Sequence, residues 1–192
     1  MTILITGFDA FGGADVNISQ LVVEELADIG QEDLVTAVLP TSYRKAGERI
    51  RELIRAHRPD WVLMFGLASD TKSIRLERAA LNFDDCAAPD NDGEVRLQQR
   101  IAEQAPPSHR SSLPLSRMAE IARDFGHHVQ FSLDAGGFVC NHVFFEAAHL
   151  VHTELPDSRC GFVHLPLVTE PGEELDRILR IVQAWISDSA FA

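Results

Sequence analysis

Cysteines and basic residues are scarce in this chain of 192 residues. The three cysteines, Cys86, Cys140 and Cys160, form no Cys-x-x-Cys pair. An odd number without such a pair argues against a disulfide framework or a zinc ribbon, so each cysteine is a candidate free thiol. Lys and Arg total 17 against 29 Asp and Glu, which gives a net charge of -12. This charge argues against nucleic acids and anionic membrane surfaces as partners, because both attract basic patches.

Long apolar runs are missing as well. No segment approaches the roughly 20 apolar residues that a membrane span requires. The apolar start Met1–Gly7 is too short for a signal peptide and lacks a basic region. We interpret it as a first strand and expect a cytoplasmic protein. The composition, 45% hydrophobic and 24% charged residues, is that of an ordinary globular chain, for which we expect one domain over residues 1–192.

Two kinds of apolar pattern alternate along the chain. Short apolar segments bounded by Gly, Pro or Asn predict strands at Ile3–Ile5, Val35–Leu39, Trp61–Phe65, Ala79–Phe83, Val129–Ser132 and Phe162–Leu165. Helical periodicity predicts helices at 18–26, 46–54, 115–125, 139–151 and 175–186. This alternation predicts an α/β/α sandwich with a mixed, largely parallel central sheet. The polar segment Asp90–Ser112 has no clear period and is predicted to be a functional or disordered loop.

In a sheet of this kind the ligand crevice lies beyond the carboxyl ends of the strands. Three segments run from a predicted strand into polar or glycine-rich turns: Gly7–Gly13, Gly66–Ser69 and Asn82–Asp85. We expect them to gather at one edge of the sheet. Gly7–Gly13 lacks the Gly-Lys-Ser/Thr ending of a phosphate-binding loop, and its two phenylalanines indicate an apolar ligand pocket instead.

The strongest local signal for chemistry surrounds Cys140. In Asp134–His142 a glycine pair leads directly into an apolar-periodic helix, with Cys140 in its first turn. The unpaired N–H groups and the positive dipole end of a helix N-terminus favour a thiolate, and the same groups can hold an oxyanion. The structural alternative is a buried cysteine packed at the start of a helix.

A reactive thiolate needs a base, and His164 is the best placed histidine. It lies in Gly161–Pro166, an apolar segment whose carboxyl end is expected to face the crevice. His142 is only two residues from Cys140 on the same predicted helix, so it points to a different side. The alternative for His164 is a core histidine whose ring nitrogens are satisfied by hydrogen bonds.

Glu77 is the acid that we expect to orient this base. Its structural alternative is a surface ion pair with Arg75 or Arg78. The adjacent carboxylates Asp84 and Asp85 are a second candidate for the acid. They also suggest a metal, but no other residues have the spacing of a metal site.

Seven segments, taken in order, resemble the pyroglutamyl peptidase I family, whose members are also called pyrrolidone-carboxylate peptidases. They are Gly7–Gly13, Leu39–Thr41, His57–Asp60 with Gly66–Ala68, Leu76–Asn82, Pro89–Gly93, Gly136–His142 and Gly161–Pro166. Each segment alone is a weak signal. The ordered set covers most of the chain, from Ile3 to Pro166, and is specific for the family.

The resemblance implies the same three residues, Glu77, Cys140 and His164, as a catalytic triad. It also implies removal of N-terminal pyroglutamate from peptides by acyl transfer through a thioester. This chemistry needs no metal or organic cofactor, and the resemblance implies a homo-oligomer, commonly a tetramer. The family-like positions for the pyroglutamyl pocket are Phe8, Phe11, Asn17, Thr41, Phe138 and Val139.

The chain departs from the family pattern near this site. Just before Pro89–Gly93, where the family usually has an arginine, this chain has Ala87 and Ala88. Leu67 occupies a position that is often glutamine, and Gly137 one that is threonine. A weakened or inactive member that binds a pyroglutamyl-like ligand is therefore the alternative function. A structural protein and a nucleoside phosphorylase-like enzyme are further alternatives, although the latter needs a basic phosphate site, for which the sequence has no convincing cluster.

Overall fold

The computed structural model describes residues 1–168 and 170–191 of the chain. Its strands are β1 (Ile3–Phe8), β2 (Leu34–Leu39), β3 (Trp61–Ala68), β4 (Ile74–Glu77), β5 (Ala79–Leu81), β6 (Asp84–Cys86), β7 (Arg96–Gln99), β8 (Ser108–Arg110), β9 (Val129–Ser132) and β10 (Arg159–Pro166). Its helices are α1 (Ile18–Asp28), α2 (Tyr43–His57), α3 (Leu115–Asp124), α4 (Val139–Glu154) and α5 (Gly172–Ser187), followed by a 3-10 helix at Ser189–Phe191.

Six strands form a central sheet in the order β2-β1-β3-β10-β4-β9. Strands β1, β2, β3 and β10 run parallel, whereas β4 pairs antiparallel with β10 and parallel with β9. This topology confirms the expected α/β fold with a mixed, largely parallel sheet. Because β10 lies between β3 and β4, a strand from the C-terminal part of the chain occupies the middle of the sheet.

Each face of the sheet is covered by its own set of helices. Helices α1, α3 and α5 pack on one face with strand residues such as Val163 and Leu165. Helices α2 and α4 pack on the other face with residues such as Phe162. Since side chains alternate between the two faces along a strand, His164 points to the face that carries α4, as Phe162 does.

The helix ends follow from local chemistry. The side chain of Asn17 accepts a hydrogen bond from the N–H of Ser19 (3.0 Å), which starts α1. The hydroxyl of Ser42 accepts one from the N–H of Lys45 (3.4 Å) at the start of α2. Helix α2 ends at Arg58, which takes a left-handed conformation (φ 42°). The five helices predicted from apolar periodicity are confirmed.

The strand prediction for Ala79–Phe83 was wrong in its placement. This segment forms β5, but β5 pairs with β8 in a separate two-stranded sheet. Consequently Asn82–Asp85 does not lie at the end of a central strand. The other two segments do, as expected: Gly7–Gly13 lies at the end of β1, and Gly66–Ser69 lies at the end of β3. The place beside β10 belongs to β4, a strand that the apolar pattern did not predict.

The segment Asp90–Ser112 has more structure than the sequence pattern indicates. It contains β7 and β8. The side-chain oxygen of Asn82 accepts hydrogen bonds from the N–H groups of Ile101 (3.1 Å) and Ala102 (2.8 Å). The amide group of the same side chain donates to the carbonyl oxygens of Ala102 (2.8 Å) and Pro106 (3.1 Å). One asparagine therefore ties this segment to the end of β5.

Candidate active site

Cys140 is the second residue of α4 and is partly exposed. Phe138, the residue that caps the helix, has an extended backbone and makes no side-chain capping bond. The first N–H groups of α4 are therefore available to a ligand, and their partial positive charge favours an anion such as a thiolate or an oxyanion. The helix start thus has the electrostatics that the sequence predicted.

Room for the thiol is created by Gly66 in β3. A Cβ atom at this position would lie 2.9 Å from the Sγ atom of Cys140 and 2.8 Å from the ring of Phe162. Real Cβ atoms do not approach other atoms this closely, because van der Waals repulsion rises steeply. The absence of a side chain at residue 66 therefore lets the thiol sit directly against the sheet.

His164 joins the thiol to a buried carboxylate. Its Nδ1 atom donates a hydrogen bond to Oε1 of Glu77 (2.8 Å), and both side chains are buried. Since Nδ1 is engaged, Nε2 is the nitrogen left for the thiol. Burial lowers the pKa of His164, but its interactions with Cys140 and Glu77 outweigh burial and raise this pKa from 6.5 to about 9.

The two arginines considered as ion-pair partners of Glu77 interact with other residues instead. Arg75 pairs with Asp70 (3.0 Å), and the guanidinium of Arg78 stacks over the ring of Phe131 (4.4 Å). The fully buried Glu77 is therefore the partner of His164 and is not part of a surface ion pair.

Asp84 and His142 form a second buried pair. Nδ1 of His142 lies 2.9 Å from Oδ2 of Asp84, and Arg96 binds the same oxygen at 2.9 Å. His142 is thus engaged away from Cys140, as its position on the helix predicts. Within residues 1–168 and 170–191, no group of three or more His, Cys, Asp or Glu side chains is arranged to hold a metal ion.

The other two cysteines lie in different environments. All three cysteines are free thiols. Cys160 is fully enclosed in β10, and burial raises its pKa well above the usual range, so its thiolate does not form at neutral pH. Cys86 is partly exposed at the end of β6. Among the three, Cys140 is the one that lines a cavity together with His164.

A cavity of about 300 Å³ opens beside Cys140 and His164. Its lining consists of Phe11, Leu67, Ala68, Ser69, Asp70, Arg75, Asp134, Ala135, Gly136, Phe138, Cys140 and His164. Phe11 and Phe138, both predicted pocket residues, face each other with ring centroids 5.8 Å apart. Their rings give the cavity an apolar wall of the kind that a small ring requires.

The other four predicted pocket residues are buried beside this lining rather than part of it. Phe8 packs in the core against Phe162 (6.3 Å between centroids). Asn17 and Thr41 both donate to the carbonyl oxygen of Asp9, at 3.1 and 3.0 Å. They fix the turn that carries Phe11. Val139 is fully buried at the start of α4.

Asp70 and Arg75 line the cavity but were missed by the sequence analysis. The signal that predicts Arg75 is the alternation of Ile74 and Leu76 with Arg75 and Glu77, which is the period of a strand with one buried apolar face. Four residues with two charges were too few to recognise as a strand. Asp70 lies in the turn after β3, where the pattern carries no such signal.

A cysteine at a helix start, a histidine in the same cavity lining and a carboxylate hydrogen-bonded to that histidine together form the arrangement by which cysteine hydrolases are recognised. Comparison with known proteins agrees with this class. The family model for pyroglutamyl peptidase matches residues 1–177. The chain therefore belongs to the pyroglutamyl peptidase family.

Individual relatives support the same assignment. The pyrrolidone-carboxylate peptidase of Finegoldia magna is 36% identical over 171 residues, which are 88% of this chain and 80% of the relative. The protein of that name from Levilactobacillus brevis is 37% identical, with 88% and 84% covered. The crystal structure of pyroglutamyl peptidase I from Bacillus amyloliquefaciens superimposes with a TM-score of 0.91 at 30% identity, covering 100% of this chain and 97% of the other.

None of the helices in the described ranges is both long and apolar enough to cross a membrane.

Proposed function

We propose that this chain is a cysteine peptidase that removes N-terminal pyroglutamate from peptides, with Cys140 as nucleophile, His164 as acid and base, and Glu77 as the residue that orients His164. The observation that carries the proposal is the placement of Cys140 and His164 in the lining of one cavity, with His164 hydrogen-bonded to the buried Glu77 (2.8 Å). Membership of the pyroglutamyl peptidase family supports the substrate class.

The first half of the reaction forms a thioester. The Cys140 thiolate attacks the carbonyl carbon that joins pyroglutamate to the next residue, and the carbonyl electron pair moves to oxygen. The free N–H groups at the start of α4 hold this oxyanion. As the intermediate collapses, the C–N bond breaks and Nε2 of His164 gives its proton to the leaving amine.

The second half releases pyroglutamate. Water attacks the thioester carbon while His164 takes a proton from it, and the C–S bond breaks to restore the thiolate. Glu77 keeps the Nδ1 proton in place throughout, which fixes the ring orientation and stabilises the imidazolium. The steps use side chains and backbone N–H groups of this chain together with water.

The cavity suits a lactam ring. The ring is small and mostly apolar, so it packs against the wall formed by the phenyl rings of Phe11 and Phe138. Asn17 and Thr41 act on this pocket by fixing the turn at Asp9, and Phe8 and Val139 support it from the core.

Hydrolysis of a fluorogenic pyroglutamyl amide under reducing conditions tests the proposal. We expect the wild type to turn over, and Cys140→Ser to lose about 10³-fold or more of kcat, because a serine hydroxyl is a far weaker nucleophile here. Cys86→Ser is the matched control and should keep its activity. Full activity in Cys140→Ser would rule out Cys140 as the nucleophile.

The second candidate function is a weakened member that binds a pyroglutamyl-like ligand. The observation in its favour is the Ala87-Ala88 segment, exposed next to β6, at the position where an arginine is usual in the family. A pyroglutamyl ester would separate the two candidates. A burst of acylation on Cys140 followed by turnover favours the peptidase, whereas saturable binding without acylation favours the binding role.

We further propose that the chain forms a single domain and acts in the cytoplasm as a homo-oligomer, a tetramer or dimer. The support is the family membership together with two helix layers that share one sheet. Light scattering after size-exclusion chromatography tests the assembly, and a mass equal to one chain at micromolar concentration would contradict it.

A further inference from the structure

The cavity has a polar side as well as an aromatic one. Ser69, Asp70, Arg75 and Asp134 contribute polar groups to its lining. If the lactam ring of a substrate occupies the aromatic wall, the remainder of the peptide must meet these polar groups. Arg75 is the one arginine in this lining, which includes no lysine.

Arg75 stands directly beside His164 in the sheet. The two residues are partners in the antiparallel pairing of β4 with β10. Side chains at directly opposed positions project from the same face, with Cβ atoms roughly 5 Å apart. Because His164 delivers a proton to the leaving amine, the side chain next to it borders the path of the leaving peptide.

Asp70 holds the guanidinium in position. Nη2 of Arg75 donates to Oδ2 of Asp70 at 3.0 Å, and this bond is the main cause that lowers the pKa of Asp70, which keeps its carboxylate charged. A guanidinium has five N–H donors. Within the described part of the chain this is the one side-chain hydrogen bond that Arg75 makes, so most of its donors remain for a ligand.

The two members of this ion pair differ in exposure. The side chain of Arg75 is 20% exposed, whereas that of Asp70 is 71% exposed. Water screens the aspartate more strongly than the arginine. The other acidic group of the lining, Asp134, is exposed and accepts a hydrogen bond from the N–H of Gly136 (2.8 Å). The guanidinium of Arg75 is therefore the less screened member of this ion pair.

We propose that Arg75 determines specificity by binding a carboxylate of the residue that follows pyroglutamate. The carboxylate is either an acidic side chain or, in a dipeptide, the α-carboxylate. A planar guanidinium already oriented by an aspartate matches a carboxylate with two parallel hydrogen bonds. The proposal rests on the pyroglutamyl peptidase activity proposed above.

The test compares three substrates that differ by one charge. They are pyroglutamyl-glutamine amide, pyroglutamyl-glutamate amide and pyroglutamyl-glutamine with a free carboxyl terminus, and released pyroglutamate is measured by chromatography. We expect kcat/KM to be roughly tenfold higher for at least one of the two carboxylate substrates than for the uncharged amide. A charge-assisted hydrogen bond contributes enough binding free energy for a difference of this size. The carboxylate substrate with the higher kcat/KM shows whether Arg75 binds an acidic side chain or the α-carboxylate.

Variants of the arginine decide whether Arg75 is responsible. In Arg75→Gln the ratio of kcat/KM for the carboxylate substrate to kcat/KM for the uncharged amide should fall to about one, and Arg75→Lys should restore part of this ratio. Arg78→Gln is the matched control, because Arg78 is exposed and lies outside the cavity lining. In Arg78→Gln the preference for the carboxylate substrate over the uncharged amide should equal that of the wild type.

The outcomes separate this inference from the activity on which it rests. Equal kcat/KM for all three substrates, or a preference that persists in Arg75→Gln, would overturn the role of Arg75 and leave the peptidase intact. Failure of the wild type to cleave any of the three, with Cys140 intact, would overturn the proposed activity and the inference together.

Discussion

At the scale of single residues, His164 is nearly enclosed by protein, and its charge depends on its neighbours. A pKa raised from 6.5 in the unfolded chain to about 9 in the folded one means that the folded state binds the proton more tightly. The stability that this proton contributes is fully present below pH 6.5. It is lost as the pH rises through about 9.

Removal of the carboxylate next to His164 should expose this dependence. In Glu77→Gln the imidazolium loses its charged partner, so the variant should have a lower free energy of unfolding than the wild type. We expect this difference in free energy to be largest near pH 6.5. The difference should narrow steadily as the pH approaches 9. Urea denaturation of both proteins at four pH values between 6.5 and 9.5 measures it.

Glu120→Gln provides the comparison for an exposed carboxylate of α3. Its free energy of unfolding should differ from that of the wild type by a small and nearly constant amount over the same pH range. If the difference for Glu77→Gln were also constant with pH, the raised pKa of His164 would be incorrect.

At the scale of elements, the approach of β6 to the start of α4 depends on Gly137. A Cβ atom there would lie 2.3 Å from the carbonyl oxygen of Asp85. The N–H of Asp85 in turn donates to the carbonyl oxygen of Gly137 (3.0 Å). The glycine at residue 137 thus fits the close packing of this chain.

We therefore expect Gly137→Ala to lower the free energy of unfolding by about 1–3 kcal/mol, because backbone must shift to admit the methyl group. Activity should fall as well, since residue 137 directly precedes Phe138, the cap of the helix that carries Cys140. Thermal or urea unfolding measures the first effect. Gly172→Ala is the control, because a Cβ atom at Gly172 meets nothing within 4 Å; a similar loss in both variants would contradict the packing explanation.

The sequence predicted elements well where a pattern is long. Five helices have enough turns for their apolar period to be read, and the turn before Cys140 has a distinctive glycine pair. β4 was missed because its four residues include two charges that are buried or paired only by tertiary contacts, Glu77 with His164 and Arg75 with Asp70. Glu77 and His164 lie far apart in the sequence, so no local period indicates that Glu77 is buried with a partner.

At the scale of the whole molecule, one helix layer carries the proposed catalytic cysteine and the other contributes mainly to stability. Helix α4 carries Cys140 on one face of the sheet, whereas Trp185 of α5 is fully buried on the other. The indole N–H of Trp185 donates to the carbonyl oxygen of Met118 (2.9 Å), and its ring stacks on Phe65 (6.5 Å). Damage at Trp185 should therefore affect stability more than chemistry.

Accordingly, Trp185→Ala should lower the free energy of unfolding by about 3–5 kcal/mol, because it removes a large buried side chain and leaves a cavity. The kcat per folded molecule should stay close to that of the wild type. Trp185→Phe keeps most of the packing and should lose less. Urea denaturation and active-site titration together give both quantities, and an equal loss of kcat and stability would contradict the separation of the layers.

Strand order could not be predicted from the sequence, because it depends on pairing between distant segments. β3 and β4 follow one another closely in the chain, yet they are held apart in the sheet by β10. His164 reaches Glu77 and Cys140 only once β10 has taken this place. The site is therefore a product of the complete topology rather than of any one motif.

The central position of β10 also matters while the chain is being made. A ribosome releases the β2-β1-β3 half and the β4-β9 half of the sheet before β10 has emerged. Until then β3 and β4 each present an unpaired strand edge, and such edges invite association with other chains. We expect newly synthesised molecules to be most prone to aggregation in the interval before residue 166 leaves the exit tunnel, and to acquire activity only after it.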